Sequence, residues 1–328
     1  MTLIIVNPNP VFDRTITVAE LVPGAVMRTL DVELTAGGKG INVARVLRAL
    51  DTPARLVIPT GREDRVKYES LLEDEGAVAE LVEVAGPIRM ASIYREMVSS
   101  RVTVVNDAGH PMSIDDWQSI HRAIVDTVTA GDIVAVMGSF PPGLDPQALV
   151  ELTEALHDKG VKILLDVNPA WLAASLVAKP DVVTPNVDEA EAALSETTAG
   201  VMDAHTHDDS FMRERAERAA RELCRRGAIR AFVTAGSAGV AMAGEGSETW
   251  VAAFPVTAVS TVGAGDSFVA GLLHEWGHSA NSAEVDWPTA MRFGVATSSS
   301  SCERVRAGGI DPQRVQDIMN SLREVSLP

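Results

Sequence analysis

From about residue 130 onward, short and nearly unbroken apolar runs alternate with longer segments whose apolar residues recur at helical spacing. Asp132–Met137, Val161–Asp166, Asp181–Thr184 and Ile229–Thr234 predict buried strands, and Pro146–Lys159, Ala170–Ala178, Val187–Ser195 and Met212–Arg226 predict the helices between them. Strands that lack polar alternation are covered on both faces, so the pattern predicts βαβ units in an α/β fold with a mainly parallel sheet. In such sheets ligands gather where strand ends run into Gly, Pro, Asn or Asp.

The first third keeps a different rhythm. Leu3–Asn7 reads as a core strand and Ile41–Leu50 as a helix entered from Gly37-Gly38-Lys39-Gly40. Thr15–Val18, Met27–Leu34, Ser92–Met97 and Arg101–Asn106 alternate with period two, as half-exposed strands do. They do not fit the βαβ rhythm and are assigned to a small separate sheet, a lid or a dimer surface, at about 12–35 and 88–107. There is no linker or internal repeat, so residues 1–328 are expected to form one domain with that appendage.

Composition narrows the class. Of the 328 residues 46% are hydrophobic and 22% charged, the profile of a soluble globular protein, and with aromatics at 4% the core must be largely aliphatic. A net charge of −17 excludes a general basic surface for nucleic acid, and requires locally placed cations for any anionic substrate. Cys224 and Cys302 lack metal-type spacing, the start lacks the basic flank of a signal peptide, and no apolar run approaches membrane-spanning length. The expectation is a cytoplasmic protein with neither membrane nor nucleic acid as partner.

Three glycine or histidine clusters are set aside. Gly38-Lys39-Gly40 lacks the hydroxyl residue of a Walker loop, and Phe268 stands where a dinucleotide fingerprint after Gly263 and Gly265 needs Gly or Ala. His205, His207, Asp208 and Asp209 in the polar stretch Asp203–Ser210 are read as facing water.

The segment Ser260-Thr-Val-Gly263-Ala264-Gly265-Asp266-Ser267-Phe268 carries more. Small residues at 263–265 precede an apolar helical stretch, Phe268–Trp276, and unpaired N–H groups at such a helix start attract a phosphate that no side chain obstructs. Asp266 in the first turn is then either a helix cap or a base that takes the proton of an attacking hydroxyl.

Gly-Ala-Gly-Asp in this setting resembles the signature of the PfkB (ribokinase-like) sugar kinases. Other motifs match in order: Asn9-Pro10-Val11-Phe12-Asp13, Gly37–Ala44, Gly138-Ser139-Phe140-Pro141-Pro142-Gly143, Asn186-Val-Asp-Glu189 and Thr234-Ala-Gly236-Ser-Ala-Gly239. The resemblance implies a three-layer αβα sandwich with a small β-sheet lid, ATP and Mg²⁺ as cofactors, and a homodimer through the lid. It implies Asp266 as base and Gly263, Ala264 and Gly265 as anion hole for the γ-phosphate. Asp13, Gly38, Lys39, Asn42, Arg89 and Ser139 would bind the sugar, Thr234, Gly236 and Gly239 the nucleotide, and Asn186 and Glu189 would organise Mg²⁺ through water. Read without that frame, Glu189 and Asn42 are ordinary helix-start or turn residues, Asp13 opens a loop, and Ser139 belongs to a turn.

Ser260-Thr-Val before Gly263, with Gly37–Arg45, resembles the kinases of phosphorylated hexoses; Lys39 resembles the 1-phosphofructokinase and tagatose-6-phosphate kinase branch. The leading expectation is transfer from ATP to fructose 1-phosphate. Next come fructose 6-phosphate or tagatose 6-phosphate, then an unphosphorylated sugar or nucleoside, then a non-catalytic sugar-phosphate-binding regulator. Lys39, Arg89 and Arg28 are the cations offered to a second anion; alternatively Arg89 pairs with Glu83. The family's Thr-Arg-x-Asn becomes Ile88-Arg89-Met90-Ala91, Thr184 replaces a Lys, Thr60–Asp64 departs from Gly-Gly or Gly-x-Asp, and Ser298–Ser301 replaces small apolar residues.

Overall fold

Successive residues of the first strand belong to two different cores. Leu3 and Ile5 join one apolar cluster while Ile4 and Val6 join the other, and Ile133, Ala135 and Met137 alternate in the same way with Val134 and Val136. A strand with side chains alternating to opposite faces must therefore have a layer packed on each.

The computed structural model describes residues 1–195, 208–279 and 285–325 of the protein. Along the chain the elements are β1 (Leu3–Val6), β2 (Val11–Val18), β3 (Asp31–Gly37), α1 (Lys39–Ala49), β4 (Ala54–Gly61), α2 (Arg65–Asp74), β5 (Val78–Val84), β6 (Arg89–Glu96) and β7 (Val102–Asn106). Then come α3 (Ile114–Thr127), β8 (Ile133–Gly138), α4 (Gln147–Asp158), β9 (Lys162–Val167), α5 (Pro169–Ser175), β10 (Val182–Val183), α6 (Val187–Leu194) and α7 (Asp209–Arg226). The last third adds β11 (Arg230–Thr234), β12 (Gly239–Gly244), β13 (Ser247–Ala252), α8 (Ala264–His278), α9 (Trp287–Cys302) and α10 (Pro312–Val325).

The main sheet has the order β13-β12-β11-β10-β9-β8-β1-β4-β5, parallel except where β12 runs against β11 and β13. One helix layer (α3 to α7) and the other (α1, α2, α8, α9) cover its two faces through the two clusters. β1 pairs with β4 on one side and β8 on the other, so the winding reverses there and a crevice opens beyond the carboxyl ends of β1 and β8. The second sheet, β3-β2-β6-β7, is antiparallel except for the β2–β6 pair. This is the expected three-layer architecture with its small sheet.

Several boundaries moved. α1 begins at Lys39, two residues before the apolar periodicity does, because Gly38 supplies a φ of 115° at its start. β2 starts at Val11 rather than Thr15, which places Asp13 on a strand and not in a loop. The helix expected through Ala178 ends at Ser175 and tightens into a 3₁₀ turn over Leu176–Ala178. The sequence reading had no strand for β4, β5, β12 or β13 and no helix for α2, α3, α9 or α10. Of these, β5 and β13 are half-exposed and α9 is interrupted by Gly and Ser. His205 and His207 lie outside the described residues; Asp209 opens α7.

α8 and α9 approach closely through glycine. A Cβ on Gly271 would stand 2.7 Å from Gly294 Cα and 2.9 Å from Thr297 Oγ1. Gly271→Val is expected to lower the unfolding free energy by about 1–3 kcal/mol through overpacking, measured by denaturant titration; unchanged stability would show that the two helices separate freely.

Candidate active site

The crevice is built around Asn7, the residue that follows β1. It is buried, and the entrance to α1 is pressed on to it: a Cβ on Gly38 would lie 2.7 Å from Asn7 Nδ2 and one on Gly40 2.8 Å from Asn7 Cβ. Gly37 has no room either, since Asp13 occupies the space a side chain would take, and its carbonyl accepts a hydrogen bond from Tyr68 Oη at 3.1 Å. The glycines at 37, 38 and 40 are thus packing residues that bring the start of α1 to the sheet edge. Lys39 extends from there. Its Nζ lies 2.6 Å from Asp166 Oδ1, at the end of β9, and 3.7 Å from Glu189 Oε1. Burial opposes the charge on Lys39, but Asp166, Glu189 and Asp266 outweigh it and hold the ammonium above its usual range.

Asp266 stands in the first turn of α8, 6% exposed. The helix begins at Gly263, whose φ of 80° is left-handed, and Asp266 does not cap it. Its Oδ2 accepts a hydrogen bond from Asn42 Nδ2 at 2.8 Å. Burial is the largest influence on its carboxyl; Lys39 and the Asn42 bond oppose it, Asp166 and Glu189 add to it, and the pKa is pushed up to about 6. Nothing lies within 4 Å of where a Cβ of Gly265 would be, so the space before this helix start is open.

On the facing small sheet, Asp13 is also pushed up to about 6, by burial first, with Arg45 and Arg89 opposing. A cavity of about 340 Å³ lies between the small sheet, the start of α1 and the segments 259–262 and 305–307, lined by Asp13, Asn42, Arg45, Arg95, Ser260 and Ala307 among others. Arg89 does not line it. Its Nε and Nη2 donate to Asn9 O at 3.2 and 3.1 Å and its Nη1 to Asp107 O at 3.1 Å. Glu83, the alternative partner considered for Arg89, pairs with Arg62 at 2.7 Å. Ser139 Oγ accepts from Asn9 Nδ2 at 3.2 Å, and Arg28 is exposed on the β2–β3 connection.

Asn186 and Glu189 form a reciprocal cap at the start of α6: Glu189 N donates to Asn186 Oδ1 at 2.9 Å and Asn186 N to Glu189 Oε2 at 3.0 Å. Glu189 thus belongs to a helix cap, and its second oxygen is the one near Lys39. Thr234, at the end of β11, bridges to Asn186, and Ala235 N donates to Gly239 O at 2.8 Å. Gly236 turns there with a φ of 59° toward space that is open.

Asp166, Asn7, Arg45 and Arg95 were missed by motif reading. For Asp166 the signal was present, a carboxylate at the carboxyl end of a buried strand. The departures also find places. Ala91 is in register opposite Asp13, Thr184 is buried with its N–H on Leu165 O at 3.1 Å, and Ser299–Ser301 are buried in α9.

Residues 7–314 match the pfkB family carbohydrate kinases. A 1-phosphofructokinase of Rhodobacter capsulatus is 29% identical over 325 residues, covering 98% of this chain and 97% of the relative. One from Vibrio cholerae is 27% identical over 327 residues, covering 99% and 97%. Phosphofructokinase-2 from Escherichia coli, in a tetrameric inhibited form, superimposes with a TM-score of 0.85 at 24% identity, covering 98% and 99% of the two chains. The matched residues take in every motif around the crevice, and the protein belongs to the pfkB carbohydrate kinases, phosphotransferases that pass a phosphoryl group from ATP to an alcohol.

Proposed function

We propose that the protein phosphorylates fructose 1-phosphate with ATP, giving fructose 1,6-bisphosphate and ADP. The observation that carries this reading is a buried carboxylate, Asp266, at an open helix start, hydrogen-bonded to Asn42, which lines a cavity that also holds Asp13 and the cation Arg95. Arg95 is half-buried there, and its guanidinium has no hydrogen-bond or ion-pair partner among the described residues. On a chain of net charge −17 such an arginine suits an acceptor that already carries a phosphate.

Asp13 and Asn42 hold sugar hydroxyls, aided by Gly38 and Ser139 at the crevice. Asp266 takes the proton as the hydroxyl oxygen bonds to the γ-phosphorus and the bridge to the β-phosphate breaks. Backbone N–H groups at Gly263, Ala264 and Gly265 receive charge on the transferring oxygens. Thr234, Gly236 and Gly239 line the nucleotide.

Mg²⁺ fits the donor set. Two carboxylates, Asp166 and Glu189, converge on Lys39, and the nearby Asn168 Oδ1 is buried without a partner. Mg²⁺ is commonly held by one or two carboxylates together with substrate phosphates and waters. Here Asp166 and Glu189 would hold it, with Asn186 fixing Glu189; when bound, it neutralises charge on the phosphates. The small sheet acts as a lid that excludes water. Its β7 is exposed along its length, with Val105 at 55%, which supports pairing of two copies through this sheet. Two free, half-buried thiols suit a reducing cytoplasm.

Because Arg89 is already engaged by backbone carbonyls, an unphosphorylated sugar is the second reading. ADP release over a panel of sugars, each with and without a phosphate at carbon 1 or carbon 6, decides between them; equal rates with the neutral sugars would overturn the first. Lys39→Met is expected to lower kcat/KM by about tenfold or more. It also removes a charge that favours ionised Asp266, so the acid limb of the pH profile should move upward. A profile left in place would sink that coupling.

A further inference from the structure

Asn42 stands between a group that can only donate and one that can only accept. Arg45 Nη1 donates to Asn42 Oδ1 at 2.8 Å, and Asn42 Nδ2 donates to Asp266 Oδ2 at 2.8 Å. A guanidinium has no acceptor and an ionised carboxylate has no donor, so one orientation of the amide satisfies both neighbours. The flipped amide would point its oxygen at the carboxylate and its NH₂ at the arginine, losing both bonds. Arg45 therefore decides which end of Asn42 meets Asp266.

Arg45 is itself held on several sides. Glu75 accepts from its Nε at 2.9 Å and from its Nη2 at 3.0 Å, Ala307 O accepts from Nη1 at 2.7 Å, and Ala36 O from Nη2 at 3.3 Å. Glu75 caps the carboxyl end of α2, its side chain is 9% exposed, and a second arginine, Arg306, donates to it at 2.7 Å. Arg45 follows Asn42 by three residues on α1, a spacing that puts both on one helix face. Contacts from α2, β3 and the segment before α10 leave the guanidinium little freedom to leave the amide.

We propose that Arg45, anchored by Glu75, is a positioning residue for phosphoryl transfer, acting on Asp266 through the orientation of the Asn42 amide. The proposal rests on the reading of Asp266 as the base. A brace that merely joined α1 to α2 would stabilise the fold without touching the ionisation of Asp266, and the two roles separate experimentally.

The test is a double-mutant cycle with pH profiles of kcat and kcat/KM for the full chain, Arg45→Met, Asn42→Ala and the double variant. Arg45→Met is expected to lower kcat by about tenfold to a hundredfold, the effect of losing one hydrogen bond to a charged group. The acid limb should move upward, since the Asn42 bond favours the ionised carboxyl. Substrate ionisation is common to all four proteins, so the difference between them belongs to the enzyme. In the Asn42→Ala background, Arg45→Met should change kcat by less than about twofold and move the limb by clearly less than in the parent, the remainder being the direct effect of Arg45 on Asp13, which is common to both backgrounds.

Equal losses in both backgrounds, or an unmoved limb in Arg45→Met, would overturn the proposal. Should Arg45→Met fail to fold, Glu75→Gln keeps the shape and weakens only the anchor; it should shift the limb in the same direction by less, and no shift would again overturn it. Asp266→Asn separates the two claims. If that variant turns over normally, the base reading falls and this proposal with it; if it is inactive while the cycle is additive, this proposal alone falls.

Discussion

Asp266→Asn is expected to reduce kcat by ~10²–10⁴-fold, the usual contribution of a positioned general base. Asparagine has the shape of aspartate and keeps an oxygen that can accept from Asn42, so the fold and ATP binding should survive. The loss should appear in kcat and not in the dissociation constant for ATP measured by calorimetry. In the wild-type protein, burial pushes the Asp266 carboxyl up to about 6. A base works only when ionised, so kcat/KM should fall as pH drops through that value and level off above it. A variant that turns over at near-normal rate would remove Asp266 from the chemistry.

The second large effect is expected at the turn before α8. Gly263 has a φ of 80°, and a Cβ there would lie 3.0 Å from Ala307 Cβ and 3.1 Å from Gly308 N. A β-branched residue is strained in that region and must displace the 307–308 backbone, which carries the N–H groups of residues 263–265 away from the transferring phosphoryl. Gly263→Val should lower kcat by ~10²–10³-fold, the scale set by loss of a single well-aimed donor to a developing anion. It should also lower the melting temperature. Gly265→Val is the companion variant. Nothing beyond its own turn lies within 4 Å of its Cβ, so the side chain extends into the space assigned to phosphate. That variant should keep its stability and lose activity; unchanged turnover would remove the anion hole from this turn.

Both predictions act on residues legible in the sequence, and the reason is local. A left-handed turn, small residues and a first-turn carboxylate all fall within four consecutive positions, so their chemistry follows from the chain itself. The same holds for the strands β8 to β11, whose residues are apolar on both faces. β5 and β13 were not legible because only part of each is buried, and their pairing depends on a neighbour distant in sequence. Lys39 was read as a cation for the substrate, but only the fold brings Asp166, 127 residues away, to within 2.6 Å of it. Arg89 was read in the same way, and the fold sets its guanidinium against two backbone carbonyls.

By itself, then, the sequence determined the layer architecture, the family and the segment that holds Asp266, because periodicity and short motifs are properties of neighbouring residues. Tertiary structure alone decided the ionisation of Asp266. That value depends on burial together with Lys39, Asp166, Asn42 and Glu189, which come from three separate segments of the chain. Electrostatics falls off with distance in space and not along the sequence, so no local pattern could have contained it.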